Sequence, residues 1–490
     1  MSAQWIMSAR IRREFARAVR VLRGVMLCAV SPTCLPLCAQ AVDPLPQEVV
    51  VEAQRLVAAA DPTVRGEAAL VLGGSKDPRN YAAVLAVAKD QDLEARVRGL
   101  VALGLLSVPG AESLLDDTLQ QSQTRVKPDG IGAAFALGLL PPDAGASVTR
   151  LLLRFQASSY KRQHDLLATL LAALADTPHP AAERALQQLL DDAANRDEGL
   201  RAQIITVLAA IDGALPAERV RKILDTGANE ERLAAVQALL RRPADPAFLP
   251  LLLRLQAQDP APEVRAAALA WLTHARHLPA LDLAARAIKS IQPVEAAQGV
   301  RSALKLGGGG MREAVAERIL ATPSPTVQTA MLRAFDVAGT EPFGEACLKL
   351  AAERRKPIEL RVAAARVAAR VFEERSAVVL RDLFLEATDV ATLLDLVSTL
   401  LAVHQQPPGL GRLLPAEVLA DPQRLAARLQ ALLAANHPDA GRFLLQRLQG
   451  DSTPAEKAAL LHAFRLARQQ PLWSSERIAR LPELLARLFR

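Results

Sequence analysis

The strongest constraint on this chain is a phrase that it repeats. Residues 61–73 read DPTVRGEAALVLG and residues 92–104 read DLEARVRGLVALG. Aligned on their final Leu-Gly, they place Arg65 on Arg96 and Asp61 on Asp92. The register continues through DGIGAAFALG (129–138), HDLLATLLAA (164–173), LRAQIITVLA (200–209), ERLAAVQALL (231–240) and VRAAALAWLT (264–273). It then passes QGVRSALKLG (298–307), VQTAMLRAFD (327–336) and LRVAAARVAA (360–369), has weaker copies near Thr392 and Arg424, and closes with EKAALLHAFR (456–465). The arginine position is thus held by Arg65, Arg96, Gly130, Asp165, Arg201, Arg232, Arg265, Gly299, Gln328, Arg361 and finally Lys457, in steps of roughly 29 to 36 residues, which is the period of a solenoid.

A step of that length holds two helices. Asp61 precedes Pro62, so an aspartate can accept a free N–H where proline has none to lose. Asp77-Pro78, Asp245-Pro246, Asp259-Pro260 and Asp421-Pro422 repeat that punctuation, and Thr453 with Glu456 has the spacing of a capping box. Apolar residues make up 51% of the chain but aromatics only 3%, so the interior must be built from Ala, Leu and Val. That favours helices over strands. Two amphipathic helices cannot cover their own apolar faces, and stacking the next pair does so. Small residues three positions after the arginine (Ala68, Gly99, Ala133, Ala168, Ala235, Ala268, Ala364) allow close approach, and leucines at the seventh (Leu72, Leu103, Leu137, Leu208, Leu239, Leu272) fill the space between. The expectation is an all-α chain: a right-handed α-solenoid of about 13 helical-hairpin repeats, drawn out as an elongated curved rod.

The pattern of an aspartate upstream of VRxxAAxxLG resembles the HEAT-repeat family, in particular the short bacterial repeats of phycobilin-lyase-like proteins, over about residues 45 to 470. The resemblance implies that Asp61, Arg65, Asp92, Arg96, Arg201, Arg232, Arg265 and Arg361 are scaffold residues that join turns to neighbouring helices. Where Gly130, Asp165, Gly299 or Gln328 stands instead, a continuous ladder is in doubt.

Charge is unevenly placed. Residues 1–41 hold six arginines (Arg10, Arg12, Arg13, Arg17, Arg20, Arg23) against Glu14, and after Ala41 only 53 basic and 51 acidic residues remain. The body is near neutral, which weighs against nucleic acid as a partner. The basic stretch, the apolar run GVMLCAVSPTCLPLC and the small-x-small AQA at 39–41 read as an export signal, so residues 1–41 are expected to be a signal peptide and residues 42–490 a single solenoid in the periplasm. RREFAR at 12–17 resembles a twin-arginine motif, leaving the Sec and twin-arginine routes both open. Cleavage there would leave Cys347 as the one cysteine, with no internal disulfide. No later segment reaches 18 consecutive apolar residues, so no membrane span is expected.

The catalytic inventory is thin. His274 and His277 are three apart at a helix end without a third ligand. Cys347 has core spacing, and the GGGG of 307–310 lacks the Gly-Lys-Ser/Thr ending of a phosphate loop. No catalytic residue, metal site or cofactor is expected. More informative is the stripe formed by positions two, five and nine after the arginine, which share a helix face. Its fifth position runs from Leu70, Val101, Phe135 and Leu170 through Thr206 and Gln237 to Arg333 and Arg366, with Arg301 and Arg370 on the same face. Either these four arginines line a concave groove for an acidic protein or peptide, or they are solvated or paired locally with Glu373 and Glu374. Trp271 stands where other units carry Ala or Val, so it either fills a gap or projects as a contact anchor. The functional expectation is a non-enzymatic exported scaffold for a protein or peptide partner. A phycobilin-lyase-like enzyme or cofactor-attachment factor and a nucleic-acid-binding solenoid are the alternatives.

Overall fold

The computed structural model describes residues 47–469, except 109, 122–127, 142–144, 155–159, 176, 193–196, 308–309 and 404–407. The export-signal expectation therefore lies outside the described residues, as does the middle of the GGGG stretch. Among the described residues there is no strand, and helices alternate between two layers. One layer consists of α1 (Pro62–Gly74), α2 (Leu93–Leu106), α3 (Pro128–Leu139), α4 (Tyr160–Leu174), α5 (Glu198–Ala210), α6 (Asn229–Leu240) and α7 (Pro262–His274). It continues with α8 (Pro293–Gly307), α9 (Pro325–Ala334), α10 (Ile358–Ala369), α11 (Val390–Val403), α12 (Pro422–Ala434) and α13 (Pro454–Gln469). Each is preceded by a partner helix of the second layer, such as Gln47–Leu56 before α1 and Tyr81–Ala88 before α2; before α12 this partner is split into Leu410–Leu413 and Ala416–Leu419. Successive members of the first layer pack closely on one another, whereas those of the second barely touch. The first layer thus runs at the smaller radius and forms the inner wall.

The proline-aspartate punctuation does what its chemistry requires. Asp61 accepts from the N–H of Thr63 and Val64, Asp92 from Ala95, Asp197 from Leu200 and Asp421 from Gln423 and Arg424. Asp77 and Asp245 cap short 3₁₀ turns instead. Thr453 Oγ1 accepts from the Glu456 N–H, but the Glu456 carboxylate is taken by Arg447, so the box is half made.

The ladder arginines have a single recurring geometry. Arg65 donates through Nη1 to the carbonyls of Ala59 and Ala60, ahead of its own helix, and through Nε and Nη2 to Asp90 of the next unit. Arg96 repeats this with Asp90 O, Gln91 O and Asp129, and Arg265 with Asp259 O, Pro260 O and Glu295. Arg201 reaches Leu190 O and Glu231, Arg232 reaches Gly227 O and Asp259, and Arg361 reaches Ala351 O and Glu386. A planar donor fork serves both the turn and the neighbouring unit at once. Where Gln328 replaces arginine, only the turn is served, by Nε2 to Ile319 O. Among the described residues Arg424 pairs with Asp421 beside it, and Arg428 instead reaches back to the carbonyls of Leu385 and Ala387.

Close packing relies on two different small positions. Gly99, three after its arginine, faces the partner helix: a Cβ there would stand 2.3 Å from Ala88 N. Gly73, eight after, faces the next inner helix, where a Cβ would stand 2.5 Å from Ala102 O; Gly104 does the same against Ala136. The final glycine of the repeated phrase is thus a contact between units. Gly299 lies against Ile288 N and Ala287 C of its partner helix, the place of Gly99. The alignment of the eighth unit on Leu306-Gly307 is therefore three residues out, and Ala296 takes the arginine position.

The elongated rod is not what forms. Helix α13 packs on α1, and Ala440–Gln449 meets Gln47–Leu56, so the inner wall returns on itself. Across this seam Arg465 Nε stands 3.3 Å from Glu67 Oε2 and His462 Nδ1 3.4 Å from Glu67 Oε1, with Arg98 of α2 at 3.1 Å on the same carboxylate. An open array leaves its terminal faces to be capped with polar residues. Here every residue of α1 from Gly66 to Gly73 is buried. Closure covers those faces instead.

Candidate functional site

The helix period assigns the faces of the inner wall. At 100° per residue, positions three and seven after the arginine point to the partner helix, and positions six and eight lie on the two flanks. Gly99 against Ala88 and Gly73 against Ala102 show both directions. Positions two, five and nine then face away from the partner helix, into the ring. With the eighth unit in its structural register, position five carries Arg301 in α8, Arg333 in α9 and Arg366 in α10. The arginines expected on one face do share it, and three occupy the same position on consecutive helices.

Their surroundings differ. Arg366 donates through Nη2 to Arg333 O at 2.6 Å and lies 3.5 Å from Asp395 of α11, while its buried Nε has no acceptor among the described residues. Arg370 donates through Nη1 to Phe335 O at 3.1 Å. Arg366 of α10 and Arg370, which follows its last residue, thus cap the carbonyl end of α9, a favourable place for a cation. Among the described residues, these bonds run to α9 and Asp395 rather than to Glu373 or Glu374. Arg301 and Arg333 are exposed, and among the described residues neither side chain forms a hydrogen bond or ion pair. Packing around the stem of Arg301 holds its guanidinium below the ordinary arginine value, opposed by Asp336 and reinforced by the like charge of Arg366. It remains a cation.

Trp271 is not a contact anchor. It is 1% exposed and belongs to the continuous core. Position six faces the preceding unit, which ends α6 with Leu240 where α1 and α2 carry Gly73 and Gly104, so the helices stand further apart and an indole fills the gap. Beyond it, Thr273 Oγ1 and Ser302 Oγ meet at 2.7 Å in a fully buried pair. His274 and His277 do not share a helix face: α7 ends at His274, Arg276 turns left-handed (φ 53°), and the His277 N–H closes on Leu272 O. Among the described residues, no group of three His, Cys, Asp or Glu side chains is placed to hold a metal. Cys347 is buried, which pushes its thiol up to about 12.

The seam cluster was missed by the sequence reading. Glu67 is the single acid inside the apolar phrase RGEAALVLG, and burial works against its charge, but Arg465, His462 and Arg98 together hold its carboxyl well below the usual carboxylate range. Glu94 completes the group by pairing with Arg98 at 2.5 Å. A lone glutamate at an inward position was the available signal, while its main partner lies almost the whole chain away.

No protein-family model and no curated protein matches this chain. Among solved structures, it is similar to an engineered protein from the Northeast Structural Genomics Consortium, at 16% identity over 66% of this chain and 98% of that one, with a TM-score of 0.31. It is also similar to a homology model of the full-length AP-3 complex in an intermediate open conformation, at 11% identity over 90% of this chain and 99% of that chain, with a TM-score of 0.39. At those scores neither likeness bears on fold or role.

Proposed function

We propose that this protein is a non-enzymatic scaffold of about 13 HEAT-like repeats, exported to the periplasm, whose inner wall receives a protein or peptide partner. The observation that carries the reading is the division of labour within the repeat. Positions three, six, seven and eight are spent on packing and the ladder position on joining units, while positions two, five and nine are buried in the early units, as at Glu67, Leu70, Val101 and Phe135, and become exposed in later ones, as at Arg301 and Arg333. Where that face is exposed, as at Arg301 and Arg333, the fold does not need it for its own stability and it is free to be adapted to a partner. Arg301 and Arg333 support an acidic partner, since exposed guanidinium groups without internal partners favour carboxylates.

The test is photo-crosslinking from inner-wall positions such as Gln237 and Ala330 in cells expressing the full chain, followed by recovery from the periplasmic fraction. A protein partner captured from these positions, and not from the outer helix Ala217–Thr226, is the expected result. Recovery of only pigment or only nucleic acid would replace the scaffold reading by the lyase-like or the nucleic-acid alternative, and recovery only from the cytoplasm would remove export.

A further inference from the structure

We infer that one rim of the ring, along the turns that enter α8, α9 and α10, docks on the surface of an anionic lipid bilayer. The inference goes beyond the inner wall and does not depend on it. Each inner helix is entered from an outer one, so the inner helices run parallel and their entry turns follow one another along a single rim. The ladder marks that rim, since Arg265 at the start of α7 reaches Glu295 at the start of α8. Over much of it the entry turns carry aspartates, as at Asp61, Asp92, Asp259, Asp389 and Asp421, each engaged in a cap or a ladder bond. The turns 288–292, 320–324 and 352–357 have none.

This sector presents apolar tips beside unpaired cations instead. Ile291 is 84% exposed, and Val294 and Leu320 are 40% and 41% exposed. Lys289, Arg354, Arg355 and Lys356 are exposed as well, and among the described residues none of their side chains forms a hydrogen bond or ion pair. Glu353 is the one acid in the three turns, and Glu295, four residues after Ile291, is already taken by Arg265. The fold uses neither the tips nor the cations. A bilayer surface satisfies both at once, because its acyl boundary covers aliphatic side chains and its anionic headgroups attract lysine and arginine. A row of convex tips suits a surface that yields around it, whereas a protein partner would need a preformed pocket for each.

The experiment is co-sedimentation of the full chain with vesicles of phosphatidylglycerol and phosphatidylcholine in equal parts, against vesicles of phosphatidylcholine alone. Binding is expected to be tighter to the acidic vesicles and to fall at high salt, where surface charges are screened. Arg354→Ala and Arg355→Ala are each expected to weaken it about fivefold, the share of one basic residue near such a surface. Ile291→Ser is expected to weaken it about tenfold through lost apolar burial. Thermal melts stay unchanged, because all three side chains are exposed. Leu278→Ser, in the exposed turn that leaves α7 on the opposite rim, leaves binding as in the wild type. Tryptophan emission in the Ile291→Trp variant is expected to shift to the blue on adding acidic vesicles, and in Leu278→Trp to stay put. Equal binding to both kinds of vesicle overturns the charge match. Absence of binding, or binding indifferent to Ile291→Ser and Arg354→Ala, overturns the site. An acidic protein crosslinked from position 291, with no vesicle binding, overturns the bilayer in favour of a protein. Each of these outcomes leaves the crosslinking test of the inner wall as it was, so the scaffold reading stands or falls separately.

Discussion

The arginines of this chain divide into two populations that look identical on paper. Arg232 sits with Nε 2.7 Å from Asp259, whose side chain is 2% exposed, and also holds Gly227 O. Removing one partner of such a pair leaves an uncompensated buried charge, which costs more than the pair itself is worth. Arg232→Ala is expected to lower unfolding free energy by about 2–4 kcal/mol, read from the denaturation midpoint. Arg333→Ala, one position before the end of its helix and exposed, is expected to leave that midpoint unmoved. Equal effects from both would contradict the division. The ladder arginines were legible in the sequence because they recur at one place in the phrase. The inward arginines were legible as a face, but not their fates. That Arg366 and Arg370 cap α9 depends on how far α10 rotates against it, which no spacing encodes.

At the level of the helix, glycine has two opposite meanings here. Gly99 stands against backbone atoms of Val87 and Ala88, which cannot move aside as a flexible side chain would. Gly441, in the outer helix Ala440–Gln449, has nothing within 4 Å of its missing Cβ. Gly99→Ala is therefore expected to destabilise by about 1–3 kcal/mol or more through overpacking. Gly441→Ala is expected to stabilise by about 0.5–1 kcal/mol through helix propensity alone. Thermal melts of the two variants should move in opposite directions. The sequence marked Gly99 as a close-approach residue but read the terminal Leu-Gly only as an alignment anchor. It also placed Gly299 three residues out, because a Leu-Gly at the end of α8 outweighed the glycine in its middle when only letters were compared.

The whole molecule is decided at the seam. Glu67 brings α1, α2 and α13 together, and its pKa is depressed in the folded state, so the stability it contributes is present above the ordinary glutamate value and is lost as pH falls through the lower folded value. Spin labels at Val51 and Gln449, which line one groove across the junction of the outer helices, report closure directly. One narrow, short distance is expected at pH 7, and it should persist through about pH 4.3, where a free glutamate is half protonated. Glu67→Gln leaves Arg98, Arg465 and His462 facing one another without their shared anion. That variant is expected to weaken the seam by about 3–5 kcal/mol and to broaden the distance already at pH 7. A distribution unchanged by the substitution would mean that apolar packing alone holds the ends together.

The sequence by itself determined the unit: two helices per period, an aspartate or proline at the entry, a ladder arginine, small residues where backbones meet, and an inward face that runs from apolar to arginine along the chain. Those features are local, since each is satisfied within one unit or by the next, and so each is written in every copy. Only the tertiary structure decided that the array is a ring, that Trp271 is buried and that Glu67 serves as its fastening. Closing a circle through α1 to α13 requires about 28° of turn at each step, and a few degrees more or less would leave a gap or a helix. That sum is spread over every interface, from Gly73 on Ala102 to Leu240 beside the tryptophan, and no single copy of the phrase contains it.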